Sequence, residues 1–288
     1  MRAVVGGASG SNRPASSTTV RFVRLGIGSD TAVIAVTSGK GGVGKSTVSL
    51  NLALALAERD LDVGLLDADV YGPDIPLMVN LKRAVPLRRW MLARSQARGT
   101  LELEPVERFG IKIMSVGFLL AESQALALPA PLLQGALRQL LQDVQWGALD
   151  VLVIDLPPGT ADLQQELIRL VPITGALIVV GPQDVAHLDG RKVLDLLQAA
   201  GVSVLGAVEN MTALVCPHCG QRVEVFPEAA SERSLWADGV SRLASIPLDP
   251  AIALAGDRGR PVLVAEGTNG QAGAFRELAA RVLGALAA

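Results

Sequence analysis

Apolar residues along this chain fall into two patterns that alternate: short continuous runs, and longer stretches with a helical repeat. Ala32-Val33-Ile34-Ala35-Val36 is a β-branched run that predicts a buried strand. A glycine-rich turn follows, then a helix over about 46–59 with Leu50, Leu54 and Ala57 on one face. Val63-Gly64-Leu65-Leu66 and Ile111-Lys112-Ile113-Met114 read as further strands. Residues 131–144 space Leu133, Leu137, Leu140, Leu141 and Val144 for one helical face. Strands over 151–154, 176–180 and 202–208 are separated by helical patterns over 161–170 and 189–199. A short strand over 243–246 precedes a C-terminal helix over 272–286. Continuous apolar strands alternating with helices predict an α/β fold, a mostly parallel sheet covered by helices on both faces. Ligands in such sheets sit beyond the carboxyl ends of the strands.

There is no internal repeat and no evident linker, so residues 30–288 are expected to form one domain. Residues 1–29 carry Gly6, Gly7, Gly10, Pro14 and a Ser/Thr cluster, with no acidic residue before Asp30. They read as a disordered tail; an organelle transit segment is the other reading of an acid-free, Arg- and Ser-bearing start. A net charge of −2 argues against a nucleic-acid-coating protein. No apolar run reaches the roughly 18 residues that span a bilayer. Two cysteines in 288 residues do not make a disulfide framework, so a reducing, cytoplasmic location is expected.

The chemistry gathers at strand ends. Gly39-Lys40-Gly41-Gly42-Val43-Gly44-Lys45-Ser46, followed by Thr47, fits G-x-x-x-x-G-K-[ST] between a strand and a helix, the context that gives this motif meaning. Its backbone N–H groups and helix N-terminus would cradle phosphates, Lys45 would reach the β- and γ-phosphates of ATP, and Ser46 would ligate Mg2+. Lys40, directly after the first glycine, marks the deviant two-lysine class. In that class this lysine crosses to the nucleotide of a second subunit, so an ATP-dependent homodimer is expected. Asp155 ends an apolar strand in the Walker B manner and is expected to hold Mg2+. Asp67 is expected to support the metal shell, and Asp69 to orient or deprotonate the attacking water. A helix cap or turn is the plain alternative for each.

Cys216-Pro217-His218-Cys219 lies in a turn within an insert near 212–226. Two thiolates cover half of a four-ligand site, and a two-fold partner would supply the other pair. A bridging [4Fe–4S] cluster, a bridging Zn2+ and a redox dithiol or inert turn all remain open on the residues alone. His218 sits inside the two-residue gap and reads as exposed; His187 is given no role.

Together these motifs resemble the Mrp/ApbC family of iron–sulfur cluster carrier ATPases, relatives of MinD and the nitrogenase iron protein in the SIMIBI class. The matching pieces run in order: Ser38 to Thr47, Asp67-Ala-Asp-Val-Tyr-Gly-Pro73, Asp155-Leu-Pro-Pro-Gly-Thr160, Pro182-Gln-Asp-Val-Ala186, Glu209-Asn-Met211, Cys216-Pro-His-Cys219 and Ile246-Pro-Leu-Asp249. The resemblance implies that Asn210 contacts adenine. It also implies a homodimer that binds a [4Fe–4S] cluster and passes it to apo-proteins, in exchange with scaffold proteins. Where the family carries Trp-Arg-Gly-Pro, this chain reads Ala127-Leu128-Pro129-Ala130-Pro131, and Asp74, Ala161 and Gly181 stand in place of Ser, Gly and Thr. These departures bear on hydrolysis rate, switch movement and partner choice more than on nucleotide binding. Two rival readings are a MinD- or ParA-like positioning switch, whose C-terminal stripe of Phe275, Leu278, Val282 and Leu286 would lie on a membrane or pack on the sheet, and a weakly hydrolysing regulatory paralogue.

Overall fold

The computed structural model describes residues 25–81, 103–119, 130–159, 162–216, 218–265 and 269–288. Among the described residues nine strands form one sheet: β1 (Ala32–Thr37), β2 (Val63–Asp67), β3 (Val106–Arg108), β4 (Ile111–Ser115), β5 (Val151–Asp155), β6 (Gly175–Val180), β7 (Val204–Val215), β8 (Arg222–Val223) and β9 (Arg242–Leu248). The described helices are α1 (Lys45–Ala57), α2 (Ile75–Met78), α3 (Ala130–Asp143), α4 (Asp162–Leu170), α5 (Asp184–Ala199), α6 (Pro250–Asp257) and α7 (Asn269–Leu286).

The strand order is β3-β4-β2-β5-β1-β6-β7-β8, with β9 also on β7. From β4 to β7, and from β7 to β9, the pairings are parallel. Among the described strands, β3 and β8 alone run antiparallel to their neighbours. Every residue of β2, β5 and β6 is buried, because helices cover both faces of the sheet.

The apolar runs identified the central strands, and the differences lie at the edges. β3 went unseen. It is joined to β4 by the two residues Phe109 and Gly110, with φ of 53° and 76°, the left-handed pair of a tight hairpin turn. β7 starts at Val204 rather than residue 202 and continues past 208 to Val215, because β8 folds back and pairs with its far half. α5 begins at Asp184, five residues before its expected start at 189; Val185 and Leu188 in its first turns are exposed and so lie off the apolar stripe. α6 was also missed. Leu25 and Ile27, within the segment read as a tail, pack against the core. Residues 1–24, 127–129 and 160–161 lie outside the described residues.

α1 is buried almost all round, Leu52, Ala53 and Leu56 included, and not only along the face its periodicity marks. The reason is α7, which packs on α1 and β9. Phe275, Leu278 and Val282 are fully buried there, each burial contributing roughly 1.5–3 kcal/mol. The Arg276 guanidinium closes the contact on Glu58 at 2.6 Å. The C-terminal stripe therefore belongs to the core. No helix among the described residues is long and apolar enough to cross a membrane.

Candidate functional site

Register assembles the site. Asp67 at the end of β2 pairs with Asp155 at the end of β5, which pairs with Val36 near the end of β1. On the other side Asp67 pairs with Ser115 of β4. Neighbouring strands lie about 4.8 Å apart, so two acidic strand ends and the glycine loop leaving β1 share one ledge.

The loop enters α1 through Gly42 and Gly44, at φ of 81° and 83°. A side chain at Gly44 would be strained there, and its Cβ would stand 2.2 Å from Asn210 Nδ2. An open cavity of about 390 Å3 lies over the loop, lined among others by Lys40, Lys45, Ser46, Thr47, Asp69 and Asp74. Lys40 is half-buried and makes no ion pair among the described residues.

Beneath the loop is a compact charge cluster. Lys45 is 6% exposed, with Nζ 2.9 Å from Asp155 Oδ2 and 3.4 Å from Asp69 Oδ2. Burial works against its charge, but Asp155 and Asp69 outweigh that and hold the ammonium above its ordinary pKa. Ser46 and Ser49 each donate a hydroxyl to Asp155 at 2.6 Å. Asp67 is fully buried and accepts from Ser115 Oγ at 2.7 Å and from the Asp69 N–H at 3.2 Å. Burial first, then the nearby Asp155 carboxylate, push Asp67 well above the usual carboxylate range. Burial also raises Asp69, which Lys45 opposes; its Oδ1 accepts from the Tyr71 and Gly72 N–H groups.

Asp155 and Asp69 face one ammonium, with Asp67 alongside, so the cluster is rich in acceptor oxygens. An oxygen-rich, electronegative set made of Ser46, Asp155 and Asp67 fits a hard divalent cation such as Mg2+.

Asn210 reaches the loop from β7, its Nδ2 donating to Val43 O at 2.8 Å. The same strand ends one residue before Cys216. The Cys216 N–H donates to Gln221 O and the Gly220 N–H donates to Cys216 O, closing a β7–β8 hairpin. Both cysteines are free, Cys216 half-buried and Cys219 exposed. The Cys216 thiol is drawn below its usual range by the Cys219 and His218 N–H groups and by the Cys219 thiol. Val215, Val223 and Val225 expose apolar surface nearby.

Ser49, Ser115 and Gln164 were not singled out from sequence, and Glu209 entered only within the Glu209-Asn-Met211 match, with no role of its own. Ser49 had a signal, since it lies one helical turn after Lys45. Ser115 had one too, a polar residue ending an apolar strand as Asp67 and Asp155 do. Gln164 of α4, fully buried, donates to Thr37 at the foot of the loop. No local pattern distinguishes it. His187, given no role above, is fully buried beside Glu209.

Comparison with known proteins bears on this arrangement. The ParA family profile, described as NUBPL iron-transfer P-loop NTPase, matches residues 30–283. An iron-sulfur cluster carrier protein of Synechocystis sp. is 41% identical over 262 residues, covering 91% of this chain and 72% of that protein. An Arabidopsis thaliana protein named iron-sulfur protein required for NADH dehydrogenase, mitochondrial, is 39% identical over 252 residues, 87% of this chain and 77% of its own. The structure of a nucleotide-binding protein from Archaeoglobus fulgidus in complex with ADP superposes with a TM-score of 0.64 at 37% identity, covering 82% of this chain and 88% of that one.

Proposed function

The chain belongs to the ParA family of NUBPL iron-transfer P-loop NTPases, and on that footing we propose that it hydrolyses ATP and carries a [4Fe–4S] cluster to apo-proteins. The glycine loop cradles the phosphates through its N–H groups, with Asn210 beside the adenine ring. Ser46, Asp155 and Asp67 would hold Mg2+, which when bound supplies positive charge to the phosphate oxygens. Lys45 moves from Asp155 to the β- and γ-phosphates. Asp69, on the cavity wall with a raised pKa, orients the attacking water and takes up its proton. The water oxygen bonds to the γ-phosphorus as the bond to the bridging oxygen breaks, leaving ADP and phosphate. Lys40 acts across the interface of a homodimer, adding positive charge at the partner's nucleotide.

The cluster is cargo. Among the described residues no three His, Cys, Asp or Glu side chains stand together as a metal site. One copy brings two thiolates, Cys216 and Cys219, and a two-fold partner completes four. Transfer is ligand exchange: each iron–thiolate bond broken here is replaced by one to a recipient cysteine, whose proton passes to the departing thiolate. The cluster's oxidation state is unchanged.

The observation that carries this reading is β7, one strand with Asn210 on the glycine loop and Cys216 just past its end. Six residues span at most about 20 Å of strand, so movement at the nucleotide has a short path to the thiolates. Anaerobic reconstitution with iron and sulfide is expected to give a brown dimer that loads an apo-iron–sulfur protein. A Cys216→Ser/Cys219→Ser variant should remain colourless. Equal spectra from both proteins, or zinc without acid-labile sulfide in the anaerobically purified chain, would overturn the cluster assignment.

A further inference from the structure

His187 lies on the covered side of α5 with 0% exposure. Its Nδ1 accepts the Leu235 N–H at 3.2 Å, so the ring proton sits on Nε2. Nε2 has no hydrogen-bond partner among the described residues and faces Glu209 Oε1 at 3.4 Å. A small shift of the carboxylate would close a charge-assisted hydrogen bond. Trp236 sets its ring edge-on to the imidazole, 5.4 Å between centroids, and fixes the orientation.

Glu209 is 7% exposed, and its second oxygen pairs with Arg242 Nη1 at 3.0 Å. Arg242 in turn lies over the Trp236 ring at 4.4 Å. Arg242 thus holds one carboxylate oxygen while His187 faces the other within reach of a hydrogen bond. Its neighbour on β7, Asn210, uses the other face of the strand to hold Val43 O. Met211 follows at φ 61°, a left-handed conformation that costs a non-glycine residue of order 1 kcal/mol and persists only where the surroundings enforce it. Clearance is small, since Asn210 Nδ2 already fills the space a Gly44 side chain would need.

We infer that His187, with Arg242, is a positioning residue for nucleotide recognition: it pins Glu209, which keeps the strained Asn210-Met211 step on the glycine loop and so sets the affinity for adenine nucleotides. This rests on reading Asn210 as the base-contacting residue, and it goes beyond that reading by naming the side chains that hold Asn210 in place.

The test measures binding of a fluorescent ADP and a fluorescent GDP analogue to the full chain. His187→Leu keeps the site apolar and removes both hydrogen-bonding nitrogens. His187→Gln restores an N–H donor near Nε2. His187→Leu is expected to weaken ADP binding about tenfold, the worth of a charge-assisted His187–Glu209 hydrogen bond that closes only with nucleotide bound, with a smaller effect on GDP. His187→Gln should return ADP affinity to within about twofold of the parent. Should His187→Leu not fold, Arg242→Ala, at a half-exposed side chain, decides on the same readout with an expected loss of about threefold in ADP affinity. Unchanged ADP affinity in the folded variants, a glutamine variant as weak as the leucine one, or equal losses for ADP and GDP would overturn the inference. A parent chain that binds ADP with this pattern but releases no phosphate from ATP would refute the hydrolysis reading and leave this one standing.

Discussion

Ser115→Ala tests whether the row of strand ends acts as one unit. The hydroxyl donates at 2.7 Å to Asp67 and accepts the Gly117 N–H at 2.8 Å, both in the interior. Without nucleotide, burial and Asp155 favour the neutral form of Asp67. The lost bond to Asp67 then costs about 1 kcal/mol, and the orphaned Gly117 N–H about 1–3 more. The nucleotide-free variant should lose about 2–4 kcal/mol in urea unfolding. Holding Mg2+ requires ionised Asp67, and a hydrogen bond to a charged acceptor is worth about 1.5–3 kcal/mol, roughly 1 more than to a neutral one. That difference should raise the Mg2+ concentration for half-maximal phosphate release about five- to tenfold at saturating ATP. A variant that loses the stability but keeps the parent's Mg2+ dependence would show that Ser115 only packs the floor, and that Asp67 takes no part in holding the cation.

Three further outcomes follow from the same structure. Gly44→Ala places a Cβ against Asn210 at a φ of 83° and should cost about 1–3 kcal/mol of strain while abolishing detectable ADP binding; calorimetry showing parent-like affinity would contradict the loop geometry. Phe275→Ala, at a fully buried site between α7 and the rest of the core, should destabilise by about 3–5 kcal/mol in chemical denaturation, whereas a loss under about 1 kcal/mol would mean that α7 is not part of the core. Asp67 and Asp69 both titrate above the ordinary carboxylate range. The folded, nucleotide-free chain therefore holds protons that the unfolded chain has released, and the stability these groups contribute is complete below about pH 4 and declines as pH rises through their raised folded values. Asp67→Asn should flatten the fall in stability that sets in above about pH 4 relative to the parent; parallel pH profiles would refute the assignment.

Much of the site was legible along the chain because its signals are local. Glycines at 42 and 44 take left-handed φ within a short turn, and Lys45 and Ser46 begin the helix that follows. Asp67 and Asp155 announce themselves by ending apolar runs. The central strands were equally plain, since burial on both faces leaves them continuously apolar. What escaped was held together across the chain. α5 starts earlier than its stripe, because its first apolar residues face outward, and β3 is too short to show an alternation.

The amino-acid sequence by itself determined the glycine loop, the lysines and acidic strand ends around it, and a Cys-x-x-Cys pair. Each is a matter of residue type and short spacing. Only the tertiary structure decided that β2 lies beside β5, which sets Asp67 level with Asp155, and that Ser115, a further strand away, steadies Asp67. Only it set His187 behind Glu209 and laid α7 over α1. Those neighbours are many residues apart, and strand order and register, which bring them together, follow from how apolar faces pack across the whole sheet and not from any local stretch of it.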